Sequence, residues 1–201
     1  MNLESESETQ KTLVVATSNP GKLEEMEAYL GELGWELQLK PPEIDVEETG
    51  ETFMENAVLK ASQVAIATGQ WAIADDSGLS VDALDGSPGI FSSRYGATDQ
   101  ERIERLLFEL GSELNREAQF VCAVAIARPD GSIALQAEGI CPGRILHRPR
   151  GNNGFGYDPI FYHTEQRQSF AEMDPETKKR LSHRGQAFNI LLPQLATLDL
   201  E

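Results

Sequence analysis

A chain of 201 residues with 17 basic and 33 acidic side chains, net charge −16, lacks the basic stripe that a nucleic-acid polymer requires. Its 40% hydrophobic and 25% charged residues suit a globular domain that buries its own core. No apolar run approaches the roughly 20 residues of a membrane span, and the start, MNLESESETQ, has neither the basic nor the apolar region of a secretory signal. Two cysteines without metal-like spacing, Cys122 and Cys141, exclude a disulfide scaffold or a zinc ribbon. The expectation is a disordered acidic tail over residues 1–10 and a single domain over 11–201, in a reducing, cytoplasmic setting.

In chain order, Lys11–Thr17 predicts a short buried strand ended by Ser18-Asn19-Pro20-Gly21. Leu23, Met26, Leu30 and Leu33 recur at helical spacing, and Gly34 closes that helix. Trp35–Leu39 is a second strand. After Pro41-Pro42 and an acidic loop, a longer helix starts at Thr52, carries Phe53, Ala57, Ala61, Val64 and Ala65 on one face, and ends at Gly69. Trp71–Ala74 predicts a brief apolar strand that runs into Asp75-Asp76 and is ended there, with Ser77-Gly78 breaking the regular backbone. Thr98 caps a helix bearing Ile103, Leu106, Leu107 and Leu110. Gln119–Ala127 and Ser132–Gly139 form a hairpin around Pro129-Asp130-Gly131, and Ile145–His147 is a further strand candidate. Ser182 caps a last helix through Leu192, disturbed by Pro193. Alternating strands and helices followed by a hairpin predict an α/β fold with a mixed sheet.

Five stretches carry the chemistry. Thr17–Lys22 (TSNPGK) joins backbone N–H groups at a helix start to a lysine, an anion site in kind, but Ala16 and Leu23 stand where a Walker A loop needs glycine and Ser/Thr. Glu47 and Glu48 precede a helix on which Asn56 and Lys60, four apart, share a face; a solvated surface explains them equally well. Asp75 and Asp76 end an apolar strand, where burying two carboxylates calls for a cation, and one of them can serve as a general base. Asp76-Ser77-Gly78 also matches the aspartic-protease triplet, but that fold is nearly all β and needs two such loops. Gly154–Pro159 (GFGYDP) lets a ring lie close to the backbone, and Lys178, His183 and Arg184 supply donors near a helix start. His147 and His163 have no metal-like spacing.

Together these motifs resemble the inosine triphosphate pyrophosphatase family of non-standard purine nucleoside triphosphate pyrophosphatases. The match rests on TSNPGK, EETGETFMENAVLKA (Glu47–Ala61), ADDSGLSVDALDGSPGIFSSRYG (Ala74–Gly96), GFGYDPIF and SHRGQA (Ser182–Ala187), in family order from Lys11 to about Leu195. The resemblance implies an elongated central mixed sheet flanked by helices, two lobes with an active-site cleft between them, and a homodimer. It also implies Mg²⁺-dependent cleavage of dITP/ITP and XTP/dXTP to the monophosphate and pyrophosphate, which keeps deaminated purines out of DNA and RNA.

Carried over by position, Thr17, Ser18, Asn19, Pro20, Gly21 and Lys22 grip the triphosphate, Glu47 and Asp76 hold the metal, and Asp76 is also the proton acceptor. Ser77 contacts substrate; Phe155, Gly156, Tyr157 and Asp158 sandwich and read the base; Lys178, His183 and Arg184 complete recognition. Ser18, Ser93 and Asn152-Asn153 depart from the commonest family residues, which bears on loop detail and substrate preference. The competing readings are a Maf-type pyrophosphatase of dTTP or modified pyrimidines and a catalytically silent nucleotide-binding protein. The long DDSGLSVDAL motif and the His183-Arg184 pair speak against the first; the acids Glu47, Asp75 and Asp76 speak against the second.

Overall fold

The computed structural model describes residues 11–31 and 34–198; the acidic stretch 1–10 and Leu33 lie outside the described residues. One seven-stranded sheet organises the chain, in the order β2-β1-β3-β4-β5-β6-β7. β1 (Lys11–Val15) runs parallel to both β2 (Trp35–Leu39) and β3 (Ala72–Val81). β3, β4 (Glu117–Ala127), β5 (Ile133–Ile145), β6 (Phe161–His163) and β7 (Gln168–Ser169) pair antiparallel in turn. The sheet is therefore mixed, as alternating early elements and a late hairpin require.

Helices cover both faces. α1 (Pro20–Leu30) and α5 (His183–Leu195) bury Met26, Tyr29, Leu30, Phe188 and Leu191 on one face, against Leu13, Ile73, Cys122 and Val124. α2 (Phe53–Thr68) lies on the other, where Ala57, Ala61, Val64 and Ala65 meet Ala72, Ala74, Ala123 and Ala125. The small residues on both sides bring α2's backbone close to the sheet. α2 starts with a reciprocal capping box between Thr52 and Glu55 and ends at Gly69 in the left-handed region. A third core, beyond the middle of β3, gathers Leu79, Val81, Phe120, Phe161 and Phe170 with Ile103, Leu106 and Leu110 of α3 (Asp99–Leu110). α4 (Pro175–Leu181) leads directly into α5. α5 packs so tightly on β5 that a Cβ at Gly139 would lie 2.2 Å from the His183 carbonyl oxygen.

Two expectations change. The strand predicted to end at Asp75-Asp76 continues through Ser77-Gly78 to Val81, with every residue from 72 to 81 paired to β4. The backbone does not break at Ser77-Gly78, because an eleven-residue neighbour zips it into the ladder despite poor strand propensity. Likewise Ile145 is not the start of a separate strand but the end of β5.

Candidate active site

Residues 75–78 form a polar interval in β3: Ile73 and Ala74 belong to the two cores at one end, Leu79 and Val81 to the third. Within a strand, neighbouring side chains point to opposite faces. Asp75 therefore meets cations from α1 and α5, whereas Asp76 meets side chains from α2. Among the described residues, no cation is in direct contact with both carboxylates.

On the first face an alternating run of charges extends across the molecule. Lys22 Nζ lies 3.1 Å from Asp75 Oδ2, and Arg184 Nη2 reaches the same oxygen at 2.7 Å and the Ser77 hydroxyl at 3.0 Å. The Arg184 Nη1 group donates to Glu25, Glu25 accepts from Lys178 at 2.8 Å, and Lys178 donates to Asp158 at 2.7 Å. Burial pushes the Asp75 carboxyl upward, but the charges of Lys22, Arg184 and Lys60 outweigh it and hold the group below the usual carboxylate range. Glu25, held ionised against burial by Arg184 and Lys178, is a member that motif reading missed. Its signal was only its position three residues after Lys22, on the same helical face.

The loop before β6 closes this face. Gly154 adopts φ +76°, where a Cβ would also strike the Asp158 carboxylate, so this turn requires glycine. The turn lets the Phe155 N–H donate to Asp158 Oδ2 at 3.0 Å and lays the Phe155 ring against Gly21, with Lys178 Nζ 4.9 Å from the ring centre. Gly156 N–H donates to Asp99 Oδ2 at 2.7 Å, so α3 anchors the loop through a residue that the motifs did not single out. Tyr157 does not stand free beside Phe155: it is buried in the third core, with its hydroxyl donating to the Ser92 carbonyl at 2.9 Å. His183 stacks on Phe120 with ring centres 4.6 Å apart. Burial, reinforced by Arg184 and Lys178, puts its pKa well below the ordinary value, so the ring is neutral at pH 7. Its Nδ1, like Nε of Arg184, is buried without a hydrogen-bond partner among the described residues.

On the second face Lys60 Nζ bridges Glu48 Oε1 at 2.7 Å and Asp76 Oδ1 at 3.0 Å, and Arg94 reaches the other Glu48 oxygen at 3.1 Å. Asn56 donates to Asp76 Oδ2 at 3.3 Å while its own carbonyl oxygen accepts from Gly50 N–H at 2.8 Å. This one buried amide sets the acidic loop against β3. Burial raises the Asp76 pKa, and Lys60 and Lys22 offset that only in part. Of the two loop glutamates, Glu48 contacts Lys60 beside Asp76, while Glu47 is more exposed and lines the same cavity as Glu48 and Lys60. Adjacent glutamates in an aperiodic loop carry no signal that distinguishes them. Glu48 and Asp76 converge on a positive charge with oxygen donors only, a set suited to a hard divalent cation. Among the described residues, no group of three or more His, Cys, Asp or Glu side chains forms a metal cage.

At the start of α1, Asn19 Oδ1 accepts from Gly21 N–H at 2.9 Å and Lys22 N–H at 3.4 Å, and Thr17 Oγ1 accepts from Asn19 N–H at 3.1 Å. The predicted anion loop thus caps itself, and an anion competes with the Asn19 amide oxygen for these donors. Ser18 and Pro20 are exposed beside it. Thr17, Ser18, Asn19, Lys22, Glu48 and Lys60 line a cavity of about 450 Å³. Asn19, Lys22 and Glu48 continue into a narrower space of about 120 Å³ with Asp76, His183 and Arg184. Phe155 and Lys178 lead on to a chamber of about 370 Å³ flanked by Glu25 and Tyr29.

The model for the Ham1 family matches residues 13–194. A dITP/XTP pyrophosphatase from Nostoc sp. is 69% identical over 188 residues, 94% of this chain and 96% of its own length. One from Synechocystis sp. is 63% identical over 94% of this chain and 98% of its own. Among solved structures, the Staphylococcus aureus Ham1 protein is 41% identical with a TM-score of 0.83, covering 92% of this chain and 98% of that one. A HAM1 protein from Coxiella burnetii is 42% identical with a TM-score of 0.84, covering 94% and 100%. By family model, sequence identity and fold alike, the chain belongs to the Ham1 family.

Proposed function

We propose that the chain cleaves the α–β phosphoanhydride of dITP/ITP and XTP/dXTP, releasing the monophosphate and pyrophosphate and keeping deaminated purines out of DNA and RNA. Family membership and the dITP/XTP pyrophosphatases similar to it support this reading. The observation that carries it is a row of three cavities with shared lining residues: an aromatic ring in the first, the buried carboxylate of Asp76 in the middle one, and lysines in the last.

Asp76 and the loop glutamates Glu47 and Glu48, which line one cavity with Lys60, are the residues that would hold Mg²⁺, Glu48 being the one already drawn to Lys60 beside Asp76. When bound, such a cation supplies charge neutralisation and a more acidic water. Asp76 would accept the proton of the attacking water, because burial makes its carboxylate more basic than an exposed one. Lys22 and the Thr17–Gly21 loop bind phosphates, exchanging the Asn19 cap for phosphate oxygens. Ser77, held by Arg184, faces the narrow middle cavity.

At the base end Phe155 provides the stacking surface and Asp158 fixes its loop. Lys178 has a third N–H beyond those given to Glu25 and Asp158, which with Arg184 and the neutral His183 faces a 6-oxo group. Adenine would set its amino donor against these donors. Each buried group left unpaired costs about 1–3 kcal/mol, roughly 5- to 150-fold in selection.

A homodimer and a cytoplasmic home belong to the same proposal. The two cysteines, Cys122 and Cys141, are free and buried, which suits a reducing compartment. No helix among the described residues is long and apolar enough to cross a membrane. A panel of ITP, XTP, ATP and dTTP, with Mg²⁺ or EDTA, tests the reading. Pyrophosphate is expected from ITP and XTP, far less from ATP, and none in EDTA. A preference for dTTP, or tight ITP binding without pyrophosphate release, contradicts it.

A further inference from the structure

We propose that Lys60 is a built-in counter-cation that holds the Glu48–Asp76 pair until a nucleotide brings its own divalent ion, so that metal and nucleotide enter together rather than metal first. The inference rests on the reading of this pair as the cation site.

Lys60 stands one helical turn beyond Asn56 on α2, and its ammonium contacts both carboxylates at 2.7 and 3.0 Å. Its side chain is 12% exposed, that of Asp76 9%, so the contact is shielded from water. With Arg94 on the outer oxygen of Glu48, two cations already balance two anions. No third acidic, histidine or cysteine ligand joins them among the described residues.

A hard divalent ion wants about six oxygens. Entering alone, it would find two carboxylates, have to displace an ammonium from both, and leave that ammonium shielded and unpaired. Entering on a triphosphate, it arrives with phosphate oxygens as ligands, and those same phosphates offer the displaced Lys60 a new partner. Lys60 can make this exchange because its flexible stem carries a compact charge with freely rotating donors. The second route keeps every buried charge paired throughout.

The test is Mn²⁺ binding to the full chain at pH 8, followed by the loss of the free-ion paramagnetic resonance signal. The unmodified protein is expected to bind Mn²⁺ only in the millimolar range by itself. With an ITP analogue carrying a methylene bridge between the α and β phosphorus atoms, binding should tighten at least 100-fold. Lys60→Met is expected to bind Mn²⁺ without nucleotide at least tenfold more tightly than the unmodified chain, and Lys60→Arg to resemble the unmodified chain.

A micromolar, one-to-one Mn²⁺ site in the unmodified protein without nucleotide overturns the proposal. So does a folded Lys60→Met that binds no more tightly. If Lys60→Met does not fold, the unmodified titration decides alone. None of these readouts involves turnover, so failure to hydrolyse ITP would sink the pyrophosphatase reading while leaving this binding order standing.

Discussion

Asp75 and Asp76 are neighbours in sequence and opposites in circumstance. Asp75 is enclosed by Lys22 and Arg184 and pushed below the ordinary carboxylate range despite its burial; Asp76, facing Lys60 and Asn56, is raised by burial that its partners offset only in part. A strand's two-residue period places them on different faces, and each face gives its carboxylate a different task. The Asp75 face is a lattice of paired charges that holds α1, α4, α5 and the Phe155 loop together. The Asp76 face leaves its acid more basic than an exposed carboxylate.

The largest effect that sharpens this contrast is on rate. Asp76→Asn should lower pyrophosphate release from ITP by about 10²–10⁴-fold, with a melting temperature within a few degrees of the unmodified protein. The substitution removes a charge that is costly to bury. A large loss of stability with turnover preserved would reverse the roles assigned to the two faces.

Asp75→Asn should do the opposite, costing about 3–5 kcal/mol because Arg184 is left buried and undercompensated. In a domain of this size that is a fall of roughly 6–20 °C in melting temperature. The sign with pH follows from the direction of each shift. Asp75 titrates lower when folded, so its contribution is complete above the unfolded value near 3.9 and drains as the pH falls from there toward the folded value. Asp76 titrates higher when folded, so acidification relieves a cost instead. Denaturant melts between pH 7 and pH 3 should therefore be flatter for Asp75→Asn than for the unmodified chain, and no flatter for Asp76→Asn.

Smaller effects lie further along the first face. Glu25→Gln, which loses charge-assisted bonds to Lys178 and Arg184, should cost about 1.5–3 kcal/mol in denaturant melts. Asp99→Ala removes the carboxylate that receives Gly156 N–H, so the KM for ITP should rise about fivefold with kcat little changed, and Asp99→Asn should restore part of the loss. A fall in kcat alone would place Asp99 outside base binding.

Hydropathy and capping made much of the scaffold legible. The Thr52 cap, the Gly69 stop and the turn at Pro129-Asp130-Gly131 all lie where their chemistry put them, because each is decided by residues within a few positions. The course of β3 was not legible: Asp, Asp, Ser and Gly are poor strand formers, and the β4 ladder, whose partners lie 43 to 49 residues further along the chain, keeps them extended. Asn56 and Lys60 were readable as one helical face, and both reach Asp76. Glu25 and Asp99 were not, since each becomes significant only when α4 and α5 or the Phe155 loop folds against it. The contact of Glu48 rather than Glu47 with Lys60 and Arg94 is one that no local pattern in that loop encodes.

Hydrolysis of ITP in water enriched in ¹⁸O tests most directly whether the site delivers water to the first phosphorus atom. The account predicts one heavy oxygen in the inosine monophosphate and none in the pyrophosphate. Label appearing in pyrophosphate, or in orthophosphate cut from the far end of the chain, would contradict it.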